Sequence, residues 1–184
     1  MKRRKFLKKS ALTAGIIGFP TIVPASVFGK NAPSNKIQIG QIGCGRIARD
    51  HDLPGVWQHD VVQIIAVSDL DRNRMADGKA WVDGYYAKKN SSSYSNTKMY
   101  EDYKELILDP EIDAVVISTP DHWHSQPAME AAYAGKHVYL QKPTSLTIKE
   151  GQQLVEAVKK TGVKLQLGTQ QRSRPQFRIA AALV

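Results

Sequence analysis

Residues 37–48 read Ile-Gln-Ile-Gly-Gln-Ile-Gly-Cys-Gly-Arg-Ile-Ala, an apolar run followed directly by a glycine-rich turn. The apolar run predicts a buried strand, and the spacing of apolar residues after it predicts a helix. Gly43 and Gly45 let the backbone approach a pyrophosphate, and the helix N-terminus at Arg46 and Ile47 offers free N–H groups and a positive dipole. The stretch therefore predicts a dinucleotide-binding loop.

A second apolar run, residues 61–68, ends at Asp69, about twenty residues past the glycines, where a carboxylate accepts a hydrogen bond from a ribose 2′-OH. This position favours NAD as the cofactor. Arg72 and Arg74 lie close enough in sequence to attract a 2′-phosphate, so NADP stays open. The simpler alternative is a tight turn in an unrelated α/β protein, and Asp69 at this spacing argues against it.

Apolar runs alternate with segments of helical spacing along the rest of the chain. Strands are predicted at 37–43, 61–68, 112–118, 136–140 and 163–167, and helices at 46–57, 71–89, 101–108, 123–134, 147–161 and 174–184. Residues 98–100 could form a short further strand. Most strands are continuous β-branched runs, which is typical of strands covered on both faces. The alternation predicts an α/β domain with a doubly wound parallel sheet. Pro54 is expected to shorten or kink the first helix.

The net charge of +9 at first suggests a nucleic-acid partner. Seven of the 26 basic residues, however, lie in the first thirty positions, which hold no acidic residue, so the remainder carries 19 basic and 17 acidic side chains. We therefore predict no nucleic-acid partner. The chain's one cysteine, Cys44, lies in the glycine turn, so no intrachain disulfide can form.

Residues 1–30 have the composition of an export signal, a basic start followed by an apolar stretch that ends in small residues and prolines. Residues 3–8, Arg-Arg-Lys-Phe-Leu-Lys, are similar to a twin-arginine signal, which is read by a bacterial exporter of folded proteins. An ordinary secretory signal or a membrane anchor is the alternative, although Pro20 and Pro24 disfavour a spanning helix. The prediction is a periplasmic or otherwise exported protein that interacts with the twin-arginine machinery.

Three further segments follow in a recognisable order: residues 118–124 (Ser-Thr-Pro-Asp-His-Trp-His), 134–140 (Ala-Gly-Lys-His-Val-Tyr-Leu) and 141–143 (Gln-Lys-Pro). With the glycine turn, this order resembles the Gfo/Idh/MocA family, whose Rossmann domain carries G-x-G-x-x-A/G, T-P-x-x-x-H and E-K-P. The resemblance covers about residues 36–175. Because loops at the carboxyl ends of parallel strands line the ligand crevice, the first and last of these segments are expected to face the nicotinamide.

The resemblance implies roles for individual residues. By this resemblance, Lys142 is expected to contact the nicotinamide ribose and the substrate hydroxyl as the catalytic residue. Thr119, Pro120 and Gln141 are expected to border the cofactor, and His124 to be a structural or cofactor-edge residue. The family motif has Glu where this chain has Gln141, and a neutral amide cannot stabilise the Lys142 charge as a carboxylate would. Whether Lys142 has the same chemistry as the lysine of the family motif is therefore left open.

Family members also carry a second, α+β open-sheet domain, which completes proton transfer. The chain ends at residues 180–184 inside an apolar helical pattern, so we expect that domain to be missing or only begun. The expected division is a signal at 1–30, a Rossmann domain at 36–168 and the start of a truncated substrate domain at 169–184. The fragment alone is expected to be inactive, and the full-length protein to be a homo-oligomer.

His122 and His124 raise the possibility of a metal site, because H-x-H presents two imidazoles from one loop. With no third ligand at a suggestive spacing, we predict that no metal is bound.

The sequence thus favours an exported NAD(P)-dependent oxidoreductase that transfers hydride between the nicotinamide and a hydroxyl-bearing carbon of a sugar or polyol. Two alternatives keep the fold. One is a glycosidase in which NAD is reduced only transiently, and the other is a non-catalytic dinucleotide- or sugar-binding protein.

Overall fold

The computed structural model describes residues 35–184, and its elements follow the predicted order. The strands are β1 (Ile37–Ile42), β2 (Val62–Ser68), β3 (Lys98–Tyr100), β4 (Ala114–Ile117), β5 (His137–Gln141) and β6 (Leu165–Gly168). The helices are α1 (Leu53–Trp57), α2 (Arg72–Asn90), α3 (Tyr103–Leu108), α4 (Ser125–Tyr133), α5 (Ile148–Thr161) and α6 (Pro175–Ala182). The predicted signal at residues 1–30 lies outside the described residues.

The six strands form one parallel sheet in the order β3-β2-β1-β4-β5-β6. Successive strands run outward from β1 to β3, and the chain then returns to the other side of β1 to place β4. The order therefore reverses between β1 and β4, and a doubly wound sheet binds its ligands at such a reversal, beyond the carboxyl ends of the strands. This topology confirms the predicted fold class.

Both faces of the sheet are covered by apolar side chains. One cluster includes Leu106, Ile117, Leu140 and Leu154, and joins the sheet to α3, α4 and α5. A second cluster includes Leu53, Ile64, Val82 and Tyr86, and joins it to α1 and α2. Burial on both faces explains why the strands read as continuous apolar runs rather than as an alternating pattern.

The first predicted helix, 46–57, is interrupted near Pro54. A π-helical turn over Ala48–Asp52 precedes α1, and Pro54 lies at the start of α1. Proline lacks an N–H group, and its ring crowds the carbonyl four residues earlier, so a regular α-helix cannot pass through this position unchanged. The expected distortion is therefore present as a wider π-helical turn. It ends at Asp52, which is buried.

Towards its end, the chain forms α6, whose residues are all exposed. That residues 169–184 begin a second domain stays a prediction. No helix within residues 35–184 combines the length and the apolar character needed to cross a membrane.

Candidate cofactor site

Four chain segments meet at the carboxyl edge of the sheet, around the β1/β4 reversal. The glycine turn leaves β1, Asp69 follows β2, residues 118–120 follow β4, and Gln141 ends β5. Backbone hydrogen bonds fix the turn between its neighbours: Gly43 N–H donates to the Ser68 carbonyl at 2.8 Å, and Ser118 N–H donates to the Ile42 carbonyl at 2.8 Å. The predicted site residues are therefore brought to one edge of the sheet.

The backbone conformation and the packing around position 43 both require glycine there. Its φ is +86°, and a Cβ at this position would lie 2.8 Å from the Ser118 carbonyl oxygen. Any other residue would be strained and would push β1 away from the loop after β4.

Gly45 has no such internal reason to be glycine. A Cβ built there meets no atom within 4 Å, and φ is not positive. The bare backbone faces open space at the start of a helix, where the first N–H groups of Arg46 and Ile47 have no intrahelical acceptor. Arg46 is exposed and Ile47 is half-buried. An open glycine beside free N–H donors fits a pyrophosphate that contacts the backbone.

Close packing behind the turn explains two other small residues. Ala48 is fully buried, and a Cβ at Gly78 of α2 would lie 2.6 Å from the Cys44 sulfur. Burial, with the nearby Asp69 charge, raises the pKa of the Cys44 thiol to about 12. Cys44 therefore remains a neutral packing residue at neutral pH and is not a nucleophile.

Asp69 holds the turns that follow β1 and β2. Its carboxylate accepts hydrogen bonds from Cys44 N–H at 2.8 Å and from Asp71 N–H at 2.9 Å. The side chain is half-buried. A carboxylate offers about four lone-pair sites, so two protein donors leave capacity for ribose hydroxyls.

The two arginines that would attract a 2′-phosphate both lie beside acidic groups. Arg72 forms an ion pair with Glu101, and Arg74 lies 3.7 Å from the Asp71 carboxylate. Because these are exposed pairs, they hold the guanidinium groups only weakly.

His124 joins the two loops that were expected to face the nicotinamide. It is buried, with Nδ1 2.5 Å from the Pro143 carbonyl and Nε2 2.9 Å from the Thr119 carbonyl. Both ring nitrogens are thus engaged by backbone oxygens. Within residues 35–184, no three His, Cys, Asp or Glu side chains are grouped so that they would hold a metal ion.

The remaining predicted residues of these loops are more accessible. Thr119 is half-buried and its hydroxyl donates to the Trp123 carbonyl at 2.9 Å, while Pro120 is exposed. Lys142 is exposed and precedes a cis peptide bond to Pro143. Lys142 directly follows β5, so its exposed side chain can reach a molecule bound at the carboxyl edge of the sheet.

Gln141 points inward instead, into a buried polar cluster that sequence reasoning missed. Its side-chain amide donates to Asp52 at 2.6 Å, and Ser118 donates to the same carboxylate at 2.5 Å. Gln41 donates to the Ser118 hydroxyl at 3.0 Å. Burial raises the pKa of Asp52, and the two hydrogen bonds act in the opposite direction. The assignments of cofactor contacts to Gln141, His124 and the other predicted residues stay predictions.

The residues of this site lie within the match to a known protein family. The model of the Gfo/Idh/MocA family, described as "Oxidoreductase family, NAD-binding Rossmann fold", matches residues 37–169. The chain belongs to this family. The predicted resemblance and the nicotinamide-dinucleotide cofactor are thereby confirmed, and the choice of NAD over NADP stays a prediction.

Similar proteins within the family carry the names of different enzyme classes. The chain is 31% identical to the myo-inositol 2-dehydrogenase of Thermotoga maritima over 142 residues, which cover 77% of this chain and 39% of that protein. It is 30% identical to a glycosyl hydrolase family 109 protein of Shewanella pealeana over 175 residues, covering 88% of this chain and 38% of that protein. The chain thus spans about two fifths of the length of these relatives.

A solved structure shows the same fold with ligands bound. The scyllo-inositol dehydrogenase of Lactobacillus casei, crystallised with NAD(H) and scyllo-inositol, superposes with a TM-score of 0.65 at 25% identity. The match covers 80% of this chain and 40% of that chain.

Proposed function

We propose that this chain is the cofactor-binding part of an NAD-dependent oxidoreductase that acts on a hydroxyl-bearing carbon of a sugar or polyol. One observation carries the proposal: the open Gly45 backbone and the exposed Lys142 lie at the same edge of the sheet, on the two sides of the strand-order reversal. Names of relatives that act on inositols support the substrate class.

Each residue has a definite task in this proposal. Backbone N–H groups after Gly45 bind the pyrophosphate, and Asp69 accepts from the adenosine ribose. The Lys142 ammonium holds the substrate oxygen and takes part in moving its proton at Nζ. When bound, the nicotinamide supplies the hydride chemistry at its C4 carbon. Groups that select the substrate are proposed to belong to a second domain, for which residues 169–184 are the start.

The proposal predicts that the full-length protein, purified from its host, retains NAD rather than NADP. The reason is that the Asp69 carboxylate accepts from a 2′-OH and repels a 2′-phosphate. Extraction of the protein, followed by chromatographic identification of the dinucleotide, tests this preference. Recovery of NADP alone would contradict it.

A glycosidase with transient redox is the second candidate, favoured by the relative from glycosyl hydrolase family 109. Product analysis separates the two reactions. The oxidoreductase forms one NADH for each hydroxyl oxidised, whereas the glycosidase releases a sugar with no net change in NAD. A full-length protein that binds dinucleotide but does neither would support a non-catalytic binding protein.

We further propose that the protein is exported through the twin-arginine pathway, so that it folds around its dinucleotide before it leaves the cytoplasm. The proposal rests on the sequence of residues 3–8. Replacing Arg3 and Arg4 by Lys preserves charge but removes the pair that the receptor reads, so the variant is expected to remain in the cytoplasm. Cell fractionation and immunoblotting measure this, and normal export of the double variant would indicate an ordinary secretory signal.

A further inference from the structure

A continuous line of hydrogen bonds runs beneath the candidate site. From the glycine turn, Gln41 Nε2 donates to the Gly43 carbonyl at 2.9 Å and to the Ser118 hydroxyl at 3.0 Å. Ser118 donates to one oxygen of Asp52, and Gln141 donates to the other. The line ends where Lys142 N–H donates to Gln141 Oε1 at 3.3 Å. It therefore connects the backbone of the glycine turn with the backbone of Lys142.

Asp52 is the centre of this line and is only 5% exposed. Gln41 and Gln141 are 1% and 4% exposed. A buried carboxyl group is costly, and such a group is tolerated when hydrogen bonds satisfy its oxygens. Here each oxygen accepts from a different loop, one after β4 and one at the end of β5.

The position of Asp52 follows from the interruption of the first helix. The π-helical turn that precedes Pro54 ends at Asp52, whose side chain is buried. Asp52 thereby contacts residues 66 and 89 positions later in the chain. The Asp52 carboxylate therefore connects the π-helical turn with the carboxyl ends of β4 and β5.

We propose that Asp52 is a positioning residue that holds the Lys142 loop and the glycine turn in fixed relation through Gln141 and Ser118. The inference rests on the proposed function, since it concerns how the two halves of that site are aligned. It also accounts for Gln141, where the family pattern has Glu: the carboxylate of this contact is on Asp52, and position 141 supplies the matching donor.

Swapping the carboxyl group of Asp52 and the amide group of Gln141 tests the proposal on the 184-residue chain. Gln141→Glu places two carboxyl groups in contact and removes the donor, so the Kd for NADH is expected to rise about tenfold, because contacting groups couple strongly. Asp52→Asn leaves two amides, which still offer a donor and an acceptor, and is expected to have a smaller effect. The double variant Asp52→Asn/Gln141→Glu restores one carboxyl and one amide, and is expected to return the Kd to within about threefold of the parent.

Hydrogen exchange at the Lys142 amide gives a readout that does not need NADH. Protection is expected to fall in Gln141→Glu and to recover in the double variant. Asp109→Asn is the matched control, because Asp109 is also buried and bonded, to Lys98 and Tyr100, but lies at the opposite end of β4. It is expected to lower the melting temperature without changing the Kd for NADH or the Lys142 exchange rate.

The outcomes distinguish the positioning role of Asp52 from the binding of the dinucleotide. If the single-variant effects simply add in the double variant, or if both singles match the parent, the positioning role is overturned even though NADH binds. If the parent chain does not bind NADH, the proposed function fails, and the exchange data still decide whether Asp52 holds the loop. If Gln141→Glu does not fold, recovery of folding in the double variant supports the coupling, and failure of both overturns it.

Discussion

Gly45→Val is expected to abolish dinucleotide binding and to leave the fold intact. A Cβ at position 45 meets no protein atom within 4 Å, so the substitution is not expected to disturb packing. It occupies the open space over the glycine turn, where the backbone must contact the pyrophosphate. We expect the Kd for NADH to rise at least about 100-fold, while stability changes by about 0.5 kcal/mol or less, as is usual for surface substitutions.

Two other glycines provide matched controls for this change. Gly84→Val introduces the same side chain at an exposed position of α2 with no atom within 4 Å, and is expected to leave the Kd unchanged. Gly43→Ala is expected to destabilise the protein itself, because of its positive φ and its contact with the Ser118 carbonyl. Fluorescence titration and thermal melts of the three variants measure both effects. Parent-like affinity in Gly45→Val would remove the turn from the site.

Lys142→Met is expected to separate catalysis from cofactor binding in the full-length protein. Methionine is an unbranched side chain one atom shorter than lysine and lacks the ammonium, so the cofactor is expected to retain most of its contacts while the substrate oxygen loses its charged partner. We expect kcat to fall by about 10² to 10⁴, the range for a positioned acid, base or charge-stabilising group. Steady-state kinetics and NADH titration of the same preparation provide the comparison.

The matched control for Lys142 is Lys149→Met, which removes another exposed lysine near the start of α5. Its kcat is expected to equal that of the parent. A Lys142→Met protein with parent-like kcat would show that the lysine is not part of the reaction, although dinucleotide binding would stand.

Local patterns explain why most of the fold was predictable. The strands are apolar runs covered on both faces, and the helices carry their own start signals, such as the capping box of Thr147 and Glu150. The glycine turn was predictable because its chemistry depends on consecutive residues. The sequence did not distinguish the two glycines, however. A Cβ at Gly43 would collide with the Ser118 carbonyl, whereas a Cβ at Gly45 would meet no atom within 4 Å.

The buried cluster beneath the site was not predictable, because its members are far apart in sequence. Asp52 and Gln141 are 89 residues apart, and nothing local to either residue indicates the contact. Two signals were present, Gln41 within an apolar strand and Asp52 directly before Leu53, but each alone is also typical of a surface residue. His124 shows the same limit: the sequence predicted no metal at H-x-H, but it did not indicate that both nitrogens of His124 lie at backbone carbonyls of two loops.

If the glycine turn and the Lys142 loop bind one dinucleotide together, both must respond to the same titration. The isotopically labelled 184-residue chain is titrated with NADH and followed by amide NMR. Saturable changes are expected at Gly45, Arg46 and Lys142 with a common Kd, and the same changes are expected to be absent in Gly45→Val. Saturation confined to residues away from the carboxyl edge of the sheet, or no saturation with either NADH or NADPH, would contradict it.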